Sequence, residues 1–352
     1  MQERRFFKQE EPKMKQAVDY IQELLDIPSP TGFTGRAVAW LCDQLTAMGF
    51  SPRMTRKGCV WCDVFSAPGE GVLLSAHVDT LGAMVRSVKS NGRIRYTHIG
   101  GWQDATVETE NCLVHTRDGR AYPATVQSTR ASQHVYAGMG KDERSEETLE
   151  IVLDEKVACP GDVEALGIET GCFISWDPRT TLTPAGYLKS RFLDDKASAG
   201  ILLYLAQEIA AGRLRPTRPV SLLFTVFEEV GHGASMTLPE HIGDMIAVDM
   251  GCVGDDLKCD ETMVSICVKD SAGPYHYDLV STLIRLAKEN GLRYAADVYP
   301  GYGSDAGAAL RAGNDVRFAC IGTGVFASHG YERTHVEGIE NTCALLRAYL
   351  TA

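Results

Sequence analysis

No stretch of this chain stays apolar for the ~18 residues that a membrane-spanning helix needs, so a membrane partner is not expected. The first residues, Met1 to Gln9, are charged and hold no apolar core of the kind a secretory signal carries. Basic charge is also in short supply. Against 46 Asp and Glu stand 35 Lys and Arg, for a net charge of −11. That deficit argues against nucleic acid or an anionic membrane surface, because both are bound through basic patches. Cysteine is plentiful at 11, but it lacks a pattern. The count is odd, and Cys59-Val-Trp-Cys62 has CxxC spacing without a second pair. Buried strand thiols are therefore favoured over a disulfide framework or a structural zinc site, and a reducing, cytoplasmic setting is expected. Internal repeats and low-complexity tracts are absent.

What is present can build a large core. Hydrophobic residues make up 44% of 352 positions and charged residues 23%. That length predicts two domains, or one large domain with an insert. Met14, Ala17, Val18, Ile21, Leu24 and Leu25 recur at helical spacing, and Arg36 to Met48 is a second amphipathic helix ended by Gly49. Cys59 to Phe65 and Val72 to Ala76 read as strands, the latter apolar without alternation, as suits a strand buried on both faces. From Val85 to about Thr183 the helical period vanishes. Short β-like runs at Ile94–Tyr96, Asn111–His115, Ala124–Gln127 and Cys172–Trp176 alternate with turn residues, predicting a small β-barrel or sandwich. Gly140 to Thr148 is expected to be a charged, solvated loop. After Phe192 strands and helices alternate again: a helix over Ala197–Ala211, strands over Val220–Phe227, Met245–Met250 and Arg317–Ile321, and helices over Tyr277–Asn290 and Glu340–Leu350. The fold class expected is α/β, a mixed and mostly parallel sheet flanked by helices, with a small β-barrel inserted. The boundaries are 1–85 for the first part, 86–184 for the insert and 185–352 for the second part.

The chemistry sits at strand ends, where α/β proteins place functional groups. Ser75-Ala-His77-Val-Asp79 follows a buried strand, although a lone histidine there is more often structural. Asp194-Asp195-Lys196 lies at a strand-to-helix junction; one Asp would serve as a helix cap, but two adjacent carboxylates exceed what capping needs. Phe227-Glu228-Glu229 ends the most apolar strand, where two acids are costly unless they are paired or bound to cations. Asp249 ends another strand. Asp305 sits in a Gly-rich turn, and His329 and His335 lie in a loop before the last helix. Imidazole with carboxylate, without thiolate, suits Zn²⁺, Co²⁺ or Mn²⁺, and a pair of ions ~3.5–4 Å apart suits hydrolysis.

These motifs resemble the M42 family of metallo-aminopeptidases. Ala76-His-Val-Asp79, Asn91-Gly92, Ile99-Gly-Gly-Trp102, Leu166-Gly-Ile168, Leu193-Asp-Asp-Lys196, Glu228-Glu-Val-Gly231, Ser304-Asp-Ala-Gly307 and Glu340-Asn-Thr342 follow that family's order along most of the chain. The resemblance implies two divalent metal ions, zinc or cobalt. His77 and Asp249 would hold one and Glu229 and a late histidine the other, with Asp194 bridging. That histidine is His329, or alternatively His335, because Ser328-His329-Gly-Tyr-Glu332 departs from the family's pattern. Glu228 would be the general base and Asp79 the support of His77. The peptide bond after Asp194 would be cis. Lys196 stands where the family has Arg, and His232 where an apolar residue is usual. Short peptides are the implied substrates, and a homo-oligomer, up to a dodecamer, the implied assembly with contacts made by the inserted domain. Alternatives are a related two-metal carboxypeptidase or deacylase, a glycoside hydrolase, and a non-catalytic assembly protein on the same fold.

Overall fold

The computed structural model describes residues 16–352; Met14 and the segment Met1 to Gln9 lie outside the described residues. The chain begins with α1 (Ala17–Leu25) and α2 (Gly35–Ala47), then β1 (Arg53–Met54), β2 (Val60–Phe65) and β3 (Gly71–His77). Six strands follow: β4 (Gly82–Val88), β5 (Ile94–Ile99), β6 (Asn111–His115), β7 (Ala121–Ser128), β8 (Leu149–Leu153) and, after the short α3 (Pro160–Ala165), β9 (Phe173–Trp176). Beyond them come β10 (Thr181–Leu182), β11 (Tyr187–Ser190), α4 (Leu193–Ala210), β12 (Val220–Thr225), β13 (Ile242–Val248), β14 (Gly251–Cys252) and β15 (Val264–Lys269). The chain closes with α5 (Tyr277–Glu289), β16 (Tyr294–Val298), α6 (Asp305–Arg311), β17 (Arg317–Val325), β18 (Glu332–His335) and α7 (Val336–Thr351). Among the described residues no helix is long and apolar enough to cross a membrane.

Strands β4 to β9 close into a barrel, in the order β4-β5-β8-β7-β6-β9. Strands β10, β11 and β18 form a small separate sheet. The main sheet runs β1-β2-β12-β3-β13-β17-β15-β16, with β14 on β17. Its four middle strands, β12, β3, β13 and β17, are parallel. Every residue of β3 and of β12 is buried, which explains their continuous apolar runs: helices cover both faces and leave no side for polar residues. Because these four strands point the same way, their carboxyl ends reach one edge, and His77, the Glu228 turn, Asp249 and the His329 loop all follow from that edge.

Several elements differ from the sequence expectation. The strand expected to run to Phe227 stops at Thr225, opposite His77, where its parallel partner β3 also ends. Glu228–Val230 is instead a 3₁₀ turn, entered through Phe227 at φ +71°. Asp305, expected in a turn, opens α6. The loop expected to be solvated is tied down: Glu146 and Glu147 pair with Arg86 and Arg95 on the barrel, and Glu146 also accepts from Thr97. Strands β15 and β16 were not expected, their runs being only six and five residues long. Cys59 and Cys62 are buried, the latter within β2.

Helix α1 lies against α4 through its apolar stripe of Tyr20, Ile21, Leu24 and Leu25. The approach depends on Gly200, where an added Cβ would sit 2.4 Å from Ile21 Cγ1 and 2.9 Å from the Ile21 nitrogen. Backbone cannot yield as a flexible side chain can, so Gly200→Val is expected to destabilise the fold by about 1–3 kcal/mol. A lowered denaturant midpoint would show it; an unchanged midpoint would mean that the two helices are not packed this closely.

Candidate metal centre

His77 ends β3 with its ring fully buried. Its Nδ1 lies 2.9 Å from the main-chain oxygen of Asp79. A carbonyl only accepts, so Nδ1 carries a proton there and Nε2 faces inward, 3.0 Å from Asp194 Oδ1. His329 repeats the arrangement from the opposite side. Its Nδ1 donates to the main-chain oxygen of Gly101, between barrel strand β5 and Trp102, and its Nε2 lies 3.4 Å from Asp194 Oδ2 and 3.7 Å from Glu229 Oε2. Thus two imidazoles, each with its tautomer set by a carbonyl, address the two oxygens of one carboxylate. Fixing the outer nitrogen in this way is how proteins orient metal-binding histidines. Donor atoms of His77, Asp194 and Glu229 lie within 4.8 Å of one another, and so do those of His77, Asp195 and Asp249.

The backbone is bent to deliver these groups. Asp194 and Asp195 open α4 with non-helical dihedrals, and the peptide bond between them is cis. Phe192, Phe227, Ala327 and His329 are non-glycine residues at positive φ, from +58° to +71°. Such conformations persist where the surroundings over-determine them, and they cluster at functional sites.

Asp79 stands behind His77, its Oδ1 3.6 Å from His77 Nδ1. Its carboxylate accepts from the Thr31 hydroxyl at 2.7 Å and from the main-chain N–H groups of Glu228 and Glu229 at 3.2 and 3.3 Å. It therefore holds the acidic turn in place while its main-chain oxygen holds His77. Glu228 Oε2 comes within 3.8 Å of His77 Nε2. Asp305 supports the same turn from behind, accepting from the Thr225 hydroxyl at 2.6 Å and from Ala234 N at 2.8 Å.

His335 goes elsewhere: it caps α7 by accepting from Glu337 N, and its Nε2 meets the Ala185 carbonyl at 2.8 Å. His232 is exposed on its loop. The Lys196 ammonium, fully buried, donates to the Ile27 carbonyl at 2.6 Å, and burial pushes its pKa down to about 7. Sequence reasoning gave no role to three neighbours, although Glu332 helped to favour His329. Glu332 accepts from Asp194 N with one oxygen and from His329 N with the other, both at 3.0 Å; its position three residues after His329 was the available signal. Tyr302, set between glycines, lines the cleft and donates to the Met250 carbonyl at 2.9 Å. Arg191 is buried beside the site, donating to the Gly330 carbonyl and pairing with Glu110.

Electrostatics mark the site as short of positive charge. Burial pushes the Glu228 and Glu229 carboxyls well above the usual range, and Asp249 up to about 7, with Asp194 adding repulsion at Asp249. Asp194 alone is held low, because hydrogen bonds from His329 and His77 outweigh its burial. Conversely, Asp194 lifts His329 to about 10 although burial opposes it. Glu229 Oε1 and Asp195 Oδ1 are buried without any hydrogen-bond partner. Orphaned carboxylate oxygens beside imidazoles could hold a divalent cation. A cleft of about 1010 Å³ opens over these groups, lined by Glu228, Asp249, Tyr302, His329, Trp102 and Tyr331 among others.

A model of the M42 glutamyl aminopeptidase family matches residues 59–345. The chain belongs to that family. YhfE of Bacillus subtilis (strain 168) is 41% identical over 341 residues, spanning 96% of this chain and 98% of that protein. The glutamyl aminopeptidase of Lactococcus lactis subsp. cremoris (strain MG1363) is 25% identical over 347 residues, 95% of this chain and 96% of that one. The fold is shared with the TET1 peptidase of Pyrococcus horikoshii, with a TM-score of 0.83 at 19% identity over 96% of this chain and 99% of that one. Set on this M42 frame, the buried pair behind the acidic turn gives a direct test. Thr225→Val keeps the shape but leaves Asp305 without its hydroxyl donor, and should cost about 1–3 kcal/mol of stability. An unchanged melting midpoint would show that the pair does not brace the turn.

Proposed function

We propose that this M42 protein is a two-metal aminopeptidase that removes the N-terminal residue from short peptides. The observation that carries the reading is Asp194, with one oxygen toward His77 Nε2 and the other toward His329 Nε2. In this reading His77 and Asp249 hold one divalent ion, Glu229 and His329 the other, and Asp194 bridges them. Zinc or cobalt suits that mixture of imidazole and carboxylate. When bound, the ions supply Lewis-acid polarisation of a carbonyl and acidify water.

The chain's own groups do the rest. Glu228 lines the cleft beside His77, with a carboxyl that burial has made a better proton acceptor. It takes the proton of the attacking water and returns it to the leaving amine. Asp79, through the N–H groups of Glu228 and Glu229, keeps that carboxylate beside the donors. Glu332 fixes the main chain of both Asp194 and His329. The acidic cleft suits a free α-ammonium, which would confine cleavage to the first residue.

Residues 1–85 and 185–352 would form the catalytic unit and 86–184 an inserted assembly domain. A homo-oligomer, up to a dodecamer, is supported by the Pyrococcus horikoshii TET1 peptidase, which can assemble into a tetrahedron or a large octahedral shell. Val135 and Tyr136, exposed between β7 and β8, are apolar groups on that inserted domain. All eleven cysteines are free thiols, which supports a reducing, cytoplasmic setting.

Two experiments test the reading. Glu228→Gln should retain bound metal and lose about 10²–10⁴-fold in turnover of aminoacyl anilides; near wild-type turnover would remove Glu228 from the mechanism. His329→Ala should lose one ion by elemental analysis while His335→Ala keeps both. Loss of metal from the His335 variant alone would reverse that assignment.

A further inference from the structure

We propose that Lys57 is a positioning residue for Glu228, acting through the main chain of the segment that follows the acidic turn. The proposal rests on the reading of Glu228 as the base. Lys57 sits at the tip of the antiparallel β1–β2 hairpin. The turn there is closed by bonds from Thr55 N to the Cys59 carbonyl at 2.8 Å and from Gly58 N to the Thr55 carbonyl at 3.0 Å. Strand β2 runs antiparallel to β12, with Val60 opposite Phe224. The hairpin tip is thereby brought beside the end of β12, after which the Glu228 turn follows. The half-buried Lys57 side chain reaches across to the chain beyond that turn. Its ammonium donates to three main-chain carbonyls, those of His232 at 2.6 Å, of Gly233, and of Ser235 at 3.3 Å. Three N–H donors thus meet three acceptors.

Those carbonyls belong to a segment that folds back on the turn. Gly231 N donates to the Glu228 carbonyl at 2.7 Å, and His232 N to the Phe227 carbonyl at 2.8 Å. Gly233 lies against Glu228 itself: a Cβ added there would come 3.1 Å from Glu228 Cβ and 1.9 Å from Asp305 Oδ1. Asp305 grips the segment from the inner side, accepting from Ala234 N at 2.8 Å. Lys57 grips it from the other side, through the carbonyls that flank that N–H. Hydrogen bonds from an ammonium are charge-assisted and roughly twice as strong as neutral ones. Removing them leaves the hold of Asp305 in place, so the segment stays folded while the floor under Glu228 loosens. A misplacement of about 1 Å, even from a change away from the chemistry, can cost on the order of 10²-fold in rate. Lys57 is not among the residues that line the cleft, so the loss should fall on turnover and spare substrate binding.

The discriminating variant is Lys57→Met, which keeps an unbranched stem and removes the donors. Its kcat on aminoacyl anilides should fall on the order of 10-fold, with KM within roughly twofold of wild type and metal content unchanged. Lys57→Arg, which keeps the charge and several donors, should hold kcat within roughly threefold of wild type. In a Glu228→Gln background, adding Lys57→Met should change turnover by less than about twofold, because the group it positions is gone. Wild-type kcat in Lys57→Met, a raised KM at unchanged kcat, or loss of metal would each overturn the proposal. So would a loss in Lys57→Arg as large as that in Lys57→Met, or a full further loss on top of Glu228→Gln. Near wild-type turnover by Glu228→Gln alone would instead overturn the base reading, and this inference with it. Should Lys57→Met fail to fold, Lys57→Gln, which keeps an amide donor without the charge, is judged by the same outcomes.

Discussion

Mutual repulsion among buried carboxylates is the constraint on which the centre depends. Asp194, Asp195, Glu228, Glu229, Asp249 and Asp305 crowd one edge of a sheet, and burial or their neighbours push every one except Asp194 toward the neutral form. At ~4 Å two like charges repel by about 4 kcal/mol even at an effective dielectric of 20. Two imidazoles relieve part of this, most of all at Asp194, where both converge. Holding so many acids together costs stability, and divalent cations could offset that cost. This is why the donor geometry, more than any single residue, carries the functional reading.

The fold meets that constraint with fixed backbone rather than with flexible side chains. Four parallel strands bring their ends to one edge, so the acids are spaced by the sheet itself. Main-chain groups then orient the side chains: carbonyls of Asp79 and Gly101 fix the two imidazoles, and N–H groups of Glu228, Glu229, Asp194, His329 and His77 are bound by Asp79, Glu332 and Asp195. Positive-φ residues beside each cluster turn the chain sharply enough to make this possible. The barrel takes part too, since Gly101 lies just after β5 and Trp102 lines the cleft. The segment 99–102 therefore connects the barrel to the late histidine, two regions far apart in the chain.

Much of this was legible in the sequence because burial leaves a strong pattern. Uninterrupted apolar runs such as Val72–Ala76 announced strands covered on both faces, and polar residues at their ends stood out for that reason. The loss of helical period after Val85 announced the barrel. Motif order supplied the family, and with it the expectation of a cis bond at Asp194–Asp195. What could not be read was register and direction. Nothing in the spacing says that Asp79 also grips the Glu228 turn, or that Glu332 binds the main chain of both Asp194 and His329. The choice between His329 and His335 was open in one dimension. In three, His335 caps α7 while His329 reaches Asp194. Strands β15, between β17 and β16, and β16, at the sheet's edge, were missed because their runs are short.

The central claim is that this acid cluster exists to hold divalent cations. Ions that bind only the folded state raise its stability in proportion to the logarithm of their concentration over the dissociation constant. The most direct measurement is the thermal midpoint of the wild-type chain with a chelator and then with Co²⁺ or Zn²⁺ restored. The midpoint should fall on chelation and recover on restoring the ion, with the gain increasing with ion concentration. An identical midpoint under both conditions, with no ion retained after gel filtration, would contradict the claim.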